Sequence, residues 1–304
     1  MKKLLFIAAI ITTTSAFSQC ACCAGSFTGA SNGDANNGIL TLNEKQFVVE
    51  AYADYRTVQS GEVIEDEEKL LQSMFIGSVG ARYGITDEIT ISGLIPYVQL
   101  HTSNGNDKGV GDLSLLGTFR IHSKNNFSIA LQEGVELPTG IQKNSNFDNT
   151  TVVIGSGSYD PITGIIISKK LNKFTIRLNV LYKFTTQGFQ QNYYGSVASH
   201  NASVFYNLKT VNACYPTDSV VNIHSDFGCN LSLGYYGEWL DKIKEDNVVD
   251  ENSGYYAAFA NIGTILLYKK WSLPVTISLP IISQMNGSQN NPGYRLRIGI
   301  IKSF

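Results

Sequence analysis

The sequence predicts an all-β chain, a transmembrane antiparallel up-and-down β-barrel of about 12 strands with periplasmic termini. The last eleven residues give the clearest sign. In Tyr294-Arg-Leu-Arg-Ile-Gly-Ile-Ile-Lys-Ser-Phe304, the set Tyr294, Leu296, Ile298, Ile300 and Phe304 shares one strand face, and Arg295, Arg297, Gly299 and Ser303 share the other. Alternation that ends on an aromatic residue is how a closing barrel strand reads, with lipid on one side and a polar lumen on the other. The opposite terminus agrees. A basic Met1-Lys-Lys start, an apolar run from Leu4 to Ile11 and the small-x-small Ala16-Phe-Ser18 predict a signal peptide over 1–18. A lipid anchor on Cys20 is the rival, and Phe17, Ser18 and Gln19 fit it poorly. Composition is the third observation: 16 Tyr and 15 Phe, 28 Gly, only 2 Trp and 7 Pro, and 16% charged residues.

Taken in chain order, strands are expected near 45–58, 71–85, 88–102, 109–123, 125–138, 156–170, 172–186, 195–209, 228–242, 254–269, 271–284 and 293–304. Alternation is clearest in three of them. Phe75, Gly77, Val79, Ala81, Tyr83 and Ile85 form one apolar face. Leu113, Leu115, Gly117, Phe119 and Ile121 form a second, and Phe174, Ile176, Leu178, Val180, Tyr182 and Phe184 a third. Gly109 and Gly111 open the fourth strand, and Pro138 with Gly140 closes the fifth where a ladder N–H is no longer needed. A soluble two-sheet sandwich would alternate in the same way. Strand length, the leader, the aromatic terminus and the loops speak for the barrel.

Connections alternate in length. Those at 84–88, 123–126, 169–173 and 269–271 are short, and those around 59–70, 103–108, 139–155, 187–194, 243–253 and 285–292 are longer and polar. Short periplasmic turns and long outer loops are the barrel pattern. The stretch 210–227 breaks it, being long on the short-turn side. The segment 19–44, rich in Cys, Gly and Asn, has no firm period and reads as a tether or a plug before a barrel over 45–304.

With the apolar sets outward, the expected lumen face carries Glu50, Asp54, Arg82, Asp112, Arg120, Gln132, Arg177, Lys183, Asn230, Arg295 and Arg297. Both signs are present, which argues against a single-sign filter and predicts an ion-pair network that stiffens or plugs the barrel, the alternative being that these residues line a narrow polar path. Net charge is −2, with no basic footprint for nucleic acid. Enzyme signatures are absent: no Gly-x-Ser-x-Gly elbow, His-Glu-x-x-His, phosphate loop or dinucleotide fingerprint occurs. His101 with Asp107 or Asp112 is the sole seed of a barrel-enzyme idea, and a hydrated loop histidine is the plainer account.

Cysteine is unusual here. Cys20, Cys22 and Cys23 cluster near the predicted mature start, and Cys214 and Cys229 flank the long periplasmic connection, which also holds His224. Three close thiolates suit a soft ion such as Cu(I) or zinc, with Cys214, Cys229 or His224 as further ligands. In an oxidising compartment the simpler expectation is a Cys214–Cys229 disulfide closing a 16-residue segment. No cofactor is required by anything else in the chain.

Three motifs carry a family resemblance: Gly109-Val-Gly-Asp112 leading into Leu113-Ser-Leu-Leu-Gly-Thr-Phe-Arg120, then Glu136-Leu-Pro-Thr-Gly140, then Gly155-Ser-Gly-Ser-Tyr-Asp160 with Gly164. In this order the chain resembles the outer-membrane barrels named for the "meta-pathway of phenol degradation", distantly similar to long-chain fatty-acid transporters. The resemblance covers 45–304 and implies passage of small hydrophobic or aromatic molecules across the outer membrane of a Gram-negative bacterium. Expected partners are outer-membrane lipid, the solute, and the barrel-assembly machinery that engages the strand ending at Phe304. The alternatives are a metal-handling barrel and a structural or adhesion barrel with a blocked lumen.

Overall fold

The computed structural model describes residues 40–59, 71–102, 105–141, 154–209, 227–287 and 289–304. Its strands are β1 (Phe47–Gln59), β2 (Leu71–Thr86), β3 (Ile89–Thr102), β4 (Gly105–Val110), β5 (Leu113–Lys124), β6 (Phe127–Leu137), β7 (Asp160–Leu171), β8 (Phe174–Lys183), β9 (Val197–Lys209), β10 (Phe227–Leu240), β11 (Lys244–Glu245), β12 (Val248–Val249), β13 (Tyr255–Tyr268), β14 (Trp271–Met285) and β15 (Asn291–Ser303). Sequential strands pair antiparallel. β15 pairs back onto β1, from Val48↔Ser303 to Gln59↔Asn291, which closes the sheet and leaves no edge. β4 and β5 both pair with β3 and form one broken stave, so twelve staves make the barrel; β11 and β12 are a hairpin apart from it.

The outer face follows from the period of two. Val79, Ile91, Ile95, Leu115, Ile165, Val180, Leu231, Leu233, Ile262, Ile277 and Ile298 all stand exposed on it. Rings border this belt at both ends. Phe47 packs on Phe304 at 5.9 Å and Phe174 on Tyr206 at 4.9 Å at the short-turn end; Tyr55 meets Tyr294 at 6.4 Å and Tyr182 meets Phe184 at 4.4 Å at the other. An apolar belt between aromatic girdles is stable against hydrocarbon rather than water. Unbroken staves of 10 to 16 residues meet or exceed the 9–11 that a tilted crossing takes. No helix among the described residues is long and apolar enough to cross a membrane. One charge interrupts the belt: Glu133 faces outward on β6, where Thr163 Oγ1 donates to it at 2.7 Å.

Turns are set by residues that tolerate positive φ. Asn125 and Asn126 (φ 51° and 58°) make the β5–β6 connection, the paired left-handed conformation that matches the strand twist. Asp246 and Asn247 do the same in the β11–β12 hairpin.

Three expectations are corrected. The 103–108 connection is a tight hairpin, with Thr102 opposite Gly105, so one long loop is in fact short. The strand expected over 109–123 is broken at Gly111–Asp112. β3 carries Pro96 there, whose missing N–H leaves a gap in the ladder, and a Cβ on Gly111 would stand 2.9 Å from the Pro96 ring. The strand expected from 156 begins at Asp160, because residues 154–158 turn inside the barrel.

The interior is not purely polar. Leu94, Leu116, Ile162 and Leu181 pack together across β3, β5, β7 and β8; Phe205, Ile265 and Leu267 form a second interior cluster. At the short-turn mouth the N-terminal stretch enters the barrel. Leu42 is 1% exposed and packs with Val48, Tyr52 and Ile301, while Leu42 N–H donates to Thr90 Oγ1 (2.7 Å) and Thr41 Oγ1 to the Asp87 carbonyl (2.6 Å). Gly84 permits this approach, since a Cβ there would lie 1.9 Å from the Asn43 carbonyl oxygen.

Candidate functional site

Among the described residues the lumen is where the fold buries charge. Glu50, Asp54, Arg82, Asp112, Gln132, Arg177, Lys183 and Asn230 are all buried, opposite the exposed apolar set. Arg295 and Arg297 are half-buried on the same inward parity. Arg120 lies apart, half-buried at the short-turn end and 3.6 Å from the exposed Glu88.

On the wall formed by β15, β1 and β2, Arg82 Nε lies 3.2 Å from Glu50 and Tyr52 donates to Glu50 at 3.3 Å. Arg56 grips Asp54 through Nε (3.2 Å) and Nη2 (3.0 Å). Arg295 Nη2 reaches Glu238 at 2.6 Å, and Tyr236 and Tyr255 donate to the same carboxylate at 2.7 and 3.0 Å. The Arg295 guanidinium stacks 3.8 Å above the Phe259 ring, and Arg297 lies 4.8 Å above Tyr52. Side chains held at both ends in this way form a stiff, charge-balanced wall.

Across the lumen, Lys183 Nζ donates to Glu136 at 2.7 Å, and Ser114 donates to the other carboxylate oxygen at 3.3 Å. From β6 round to β13 the wall carries Gln132, Ser168, Thr175, Asn179, Asn207, Asn230 and Asn261, each with a buried polar atom that meets no hydrogen-bond partner among the described residues. Buried polar atoms ordinarily find partners, and ordered water is a common one along a polar wall. One side of the lumen is thus ion-paired, another lined by uncharged polar side chains, and Leu94, Leu116, Ile162 and Leu181 add an apolar strip.

The long-loop mouth is narrowed around Asp112. The break beside Pro96 turns its side chain toward the β6–β7 connection, where it is 1% exposed. Asp112 Oδ1 accepts the Gly140 N–H at 2.7 Å; Oδ2 accepts the Ser156 N–H at 2.5 Å and hydroxyl at 2.7 Å. Ile154, carried in by this clamp, packs on Met74, Ile76, Val98 and Leu100 inside the barrel. Gly140 and Gly155 touch so closely that a Cβ on either would stand 2.7 Å from the other's backbone. The three sequence motifs, distant in the chain, therefore meet in one knot.

Glu238, Arg56, Glu136 and Asp160 belong to the lumen face and escaped the sequence reading. The signal existed for Glu238, which shares parity with Asn230, and for Arg56, two residues past Asp54. The His101–Asp idea is corrected: its Nδ1 contacts the Asn106 amide oxygen, neither Asp107 nor Asp112. Cys20, Cys22, Cys23, Cys214 and His224 lie outside the described residues. Cys229 sits at the short-turn end of β10 with Sγ 3.6 Å from the Thr264 hydroxyl. Among the described residues no group of His, Cys, Asp and Glu is arranged to hold a metal.

No family model matches the chain, and no curated protein sequence does. Among solved structures it is similar to a COG4313 outer membrane channel from Pseudomonas putida F1, at 14% identity over 90% of this chain and 98% of that one, with a TM-score of 0.67. It also matches the CymD monoaromatic hydrocarbon channel (8% identity, 91% and 93% coverage, TM-score 0.45) and the KdgM porin (11%, 84% and 99%, 0.43). At these identities the likeness is one of fold: a closed antiparallel barrel of the outer-membrane type.

Proposed function

We propose that this chain is an outer-membrane channel that passes small amphipathic or aromatic molecules, with its short-turn end toward the periplasm. The observation that carries this is the pairing of an apolar exterior belt with a lumen whose walls are ion-paired, polar and apolar in turn. Such a passage offers an aromatic solute a ring-sized apolar strip beside fixed hydrogen-bond donors, which favours selectivity over bulk flow. The kinship to the barrels named for the meta-pathway of phenol degradation rests on the three motifs, and their meeting at Asp112 gives those motifs a shared physical purpose. The COG4313 channel, similar in fold over nearly its whole length, supports the channel class.

The test is liposome swelling with the refolded full chain, comparing phenol-sized aromatic solutes with sugars of similar mass. Faster entry of the aromatic solutes supports the proposal. Impermeability to every solute, in a barrel shown to be folded, would favour a structural barrel with a blocked lumen. A soft-metal site at Cys20, Cys22 and Cys23 is a separate proposal. Residues 40–46 entering the short-turn mouth, the end where Cys229 also lies, favour it. Replacing the three cysteines with serine is expected to change copper or zinc sensitivity while leaving permeability unchanged.

A further inference from the structure

The barrel is electrically lopsided along its axis. At the short-turn end, the 169–173 and 268–271 turns and the last strand bring Lys169, Lys170, Lys173, Lys269, Lys270 and Lys302, with no acidic residue in either turn. None of the six is paired with a carboxylate among the described residues. Among the described residues the acids of this end, Glu44, Asp87 and Glu88, gather at the β2–β3 turn, where Lys45 and Arg120 already face them at 3.1 and 3.6 Å. The long-loop end inverts the balance, with Asp241, Glu245, Asp246, Asp250 and Glu251 against Lys242 and Lys244 in one connection.

Geometry places three of these ammonium groups, those of Lys169, Lys269 and Lys302, at the edge of the apolar belt. Lys302 lies over Trp271 at 4.7 Å and over Phe304 at 5.0 Å; Lys269 lies over Tyr268 at 5.3 Å. Lys169 stands opposite Phe127 in the ladder, 5.9 Å from its ring, and donates to the Asn125 carbonyl at 3.0 Å. Those rings form the outward-facing girdle. A lysine that covers a girdle ring lays its stem on apolar surface and holds its charge where lipid headgroups begin. Unpaired cations in that ring-shaped position are complementary to phosphate on the lipid side, not to a solute in the lumen.

We propose that this lysine collar binds the phosphate groups of anionic phospholipids in the leaflet around the short-turn end. The inference rests on the membrane reading above. Each lysine contributes roughly a fivefold preference for anionic over zwitterionic lipid at low ionic strength, and added salt weakens it.

The test uses the full chain reconstituted into vesicles of equimolar phosphatidylcholine and phosphatidylglycerol, with annular lipid read by quenching from brominated forms of each. The native protein is expected to enrich phosphatidylglycerol, and salt to erase the enrichment. Replacing Lys169, Lys170 and Lys173, or Lys269, Lys270 and Lys302, with glutamine should lower it severalfold, whereas arginine at the same positions should retain it. Equal quenching by both lipids from a folded, inserted barrel would overturn the collar alone, as would glutamine variants that keep full preference. Specific retention of a soluble acidic polymer with no lipid preference would assign the lysines to a different partner and also overturn it. A barrel that inserts into neither membrane would instead fail the membrane reading. If a glutamine variant does not fold, the salt titration of the native chain still decides.

Discussion

Asp112 shows how a single carboxylate can shape a pore mouth. It accepts three hydrogen bonds from Gly140 and Ser156, residues 28 and 44 positions away. Bonds to a charged acceptor are worth roughly 1.5–3 kcal/mol each, with partial loss to water on release. Asp112→Ala is therefore expected to lower stability by about 3 kcal/mol, measured as denaturant unfolding in detergent, and to free the 154–158 segment from the mouth. Lys183 and Glu136 give a second residue-scale prediction. Lys183→Met leaves a buried carboxylate unpaired and should cost about 3–5 kcal/mol, while adding Glu136→Leu recovers most of it; a cycle in which the double change costs the sum of the two single changes would refute the pairing. Period-two parity made Asp112 and Lys183 legible as inward residues. Their partners were not, because alternation records which face a side chain takes and carries nothing about which distant loop folds onto it.

At the scale of the element, legibility depended on contrast between faces. β8 reads apolar-out and polar-in over most of its length, with Phe174, Ile176 and Leu178 exposed and Thr175, Arg177 and Asn179 buried; Leu181 alone breaks the inward polar stripe. β3 does not: Ile91 and Ile95 face out while Leu94, Val98 and Leu100 face in, so its sequence offers no polar stripe to mark the lumen. The break between β4 and β5 was equally hidden, since Gly109 and Gly111 read as a strand start until Pro96 is placed opposite them. The N-terminal stretch also lacks any period, yet it docks, through Leu42 and the space above Gly84. Gly84→Ala is expected to expel residues 40–46 from the mouth without disturbing the ladder, exposing Leu42 at a cost of about 2 kcal/mol; protease cleavage between residues 40 and 46 would reveal it. At the far mouth, burial, with Asp250 and Asp246 beside it, pushes the Glu245 carboxyl above its usual range. The fold thus favours the protonated acid. That contribution is complete below the ordinary carboxylate range and is lost as pH rises through the raised value. The β11–β12 hairpin should resist proteolysis better in mild acid, and Glu245→Gln should remove the difference.

On the scale of the whole molecule, closure of β15 onto β1 turns a dozen marginal ribbons into one sheet without an edge, and it fixes what each face must dissolve in. The outside demands hydrocarbon, and the inside presents polar side chains along β6 to β13 together with charges that are paired within the wall. Glu133 is the exception on the outside, bordering an apolar groove of about 500 Å³. The twelve-stave count and the alternation were legible because a barrel repeats one local rule; of the girdles, only the terminal ring of Phe304 was. The knot at Asp112 and the narrowed mouths arise once per molecule and leave no repeating mark. The most direct test of the channel account is single-channel conductance of the native chain beside Asp112→Ala in planar bilayers. The account predicts small, discrete openings in the native protein and larger ones in the variant, as the mouth is freed. Folded barrels that stay silent in both forms would contradict it.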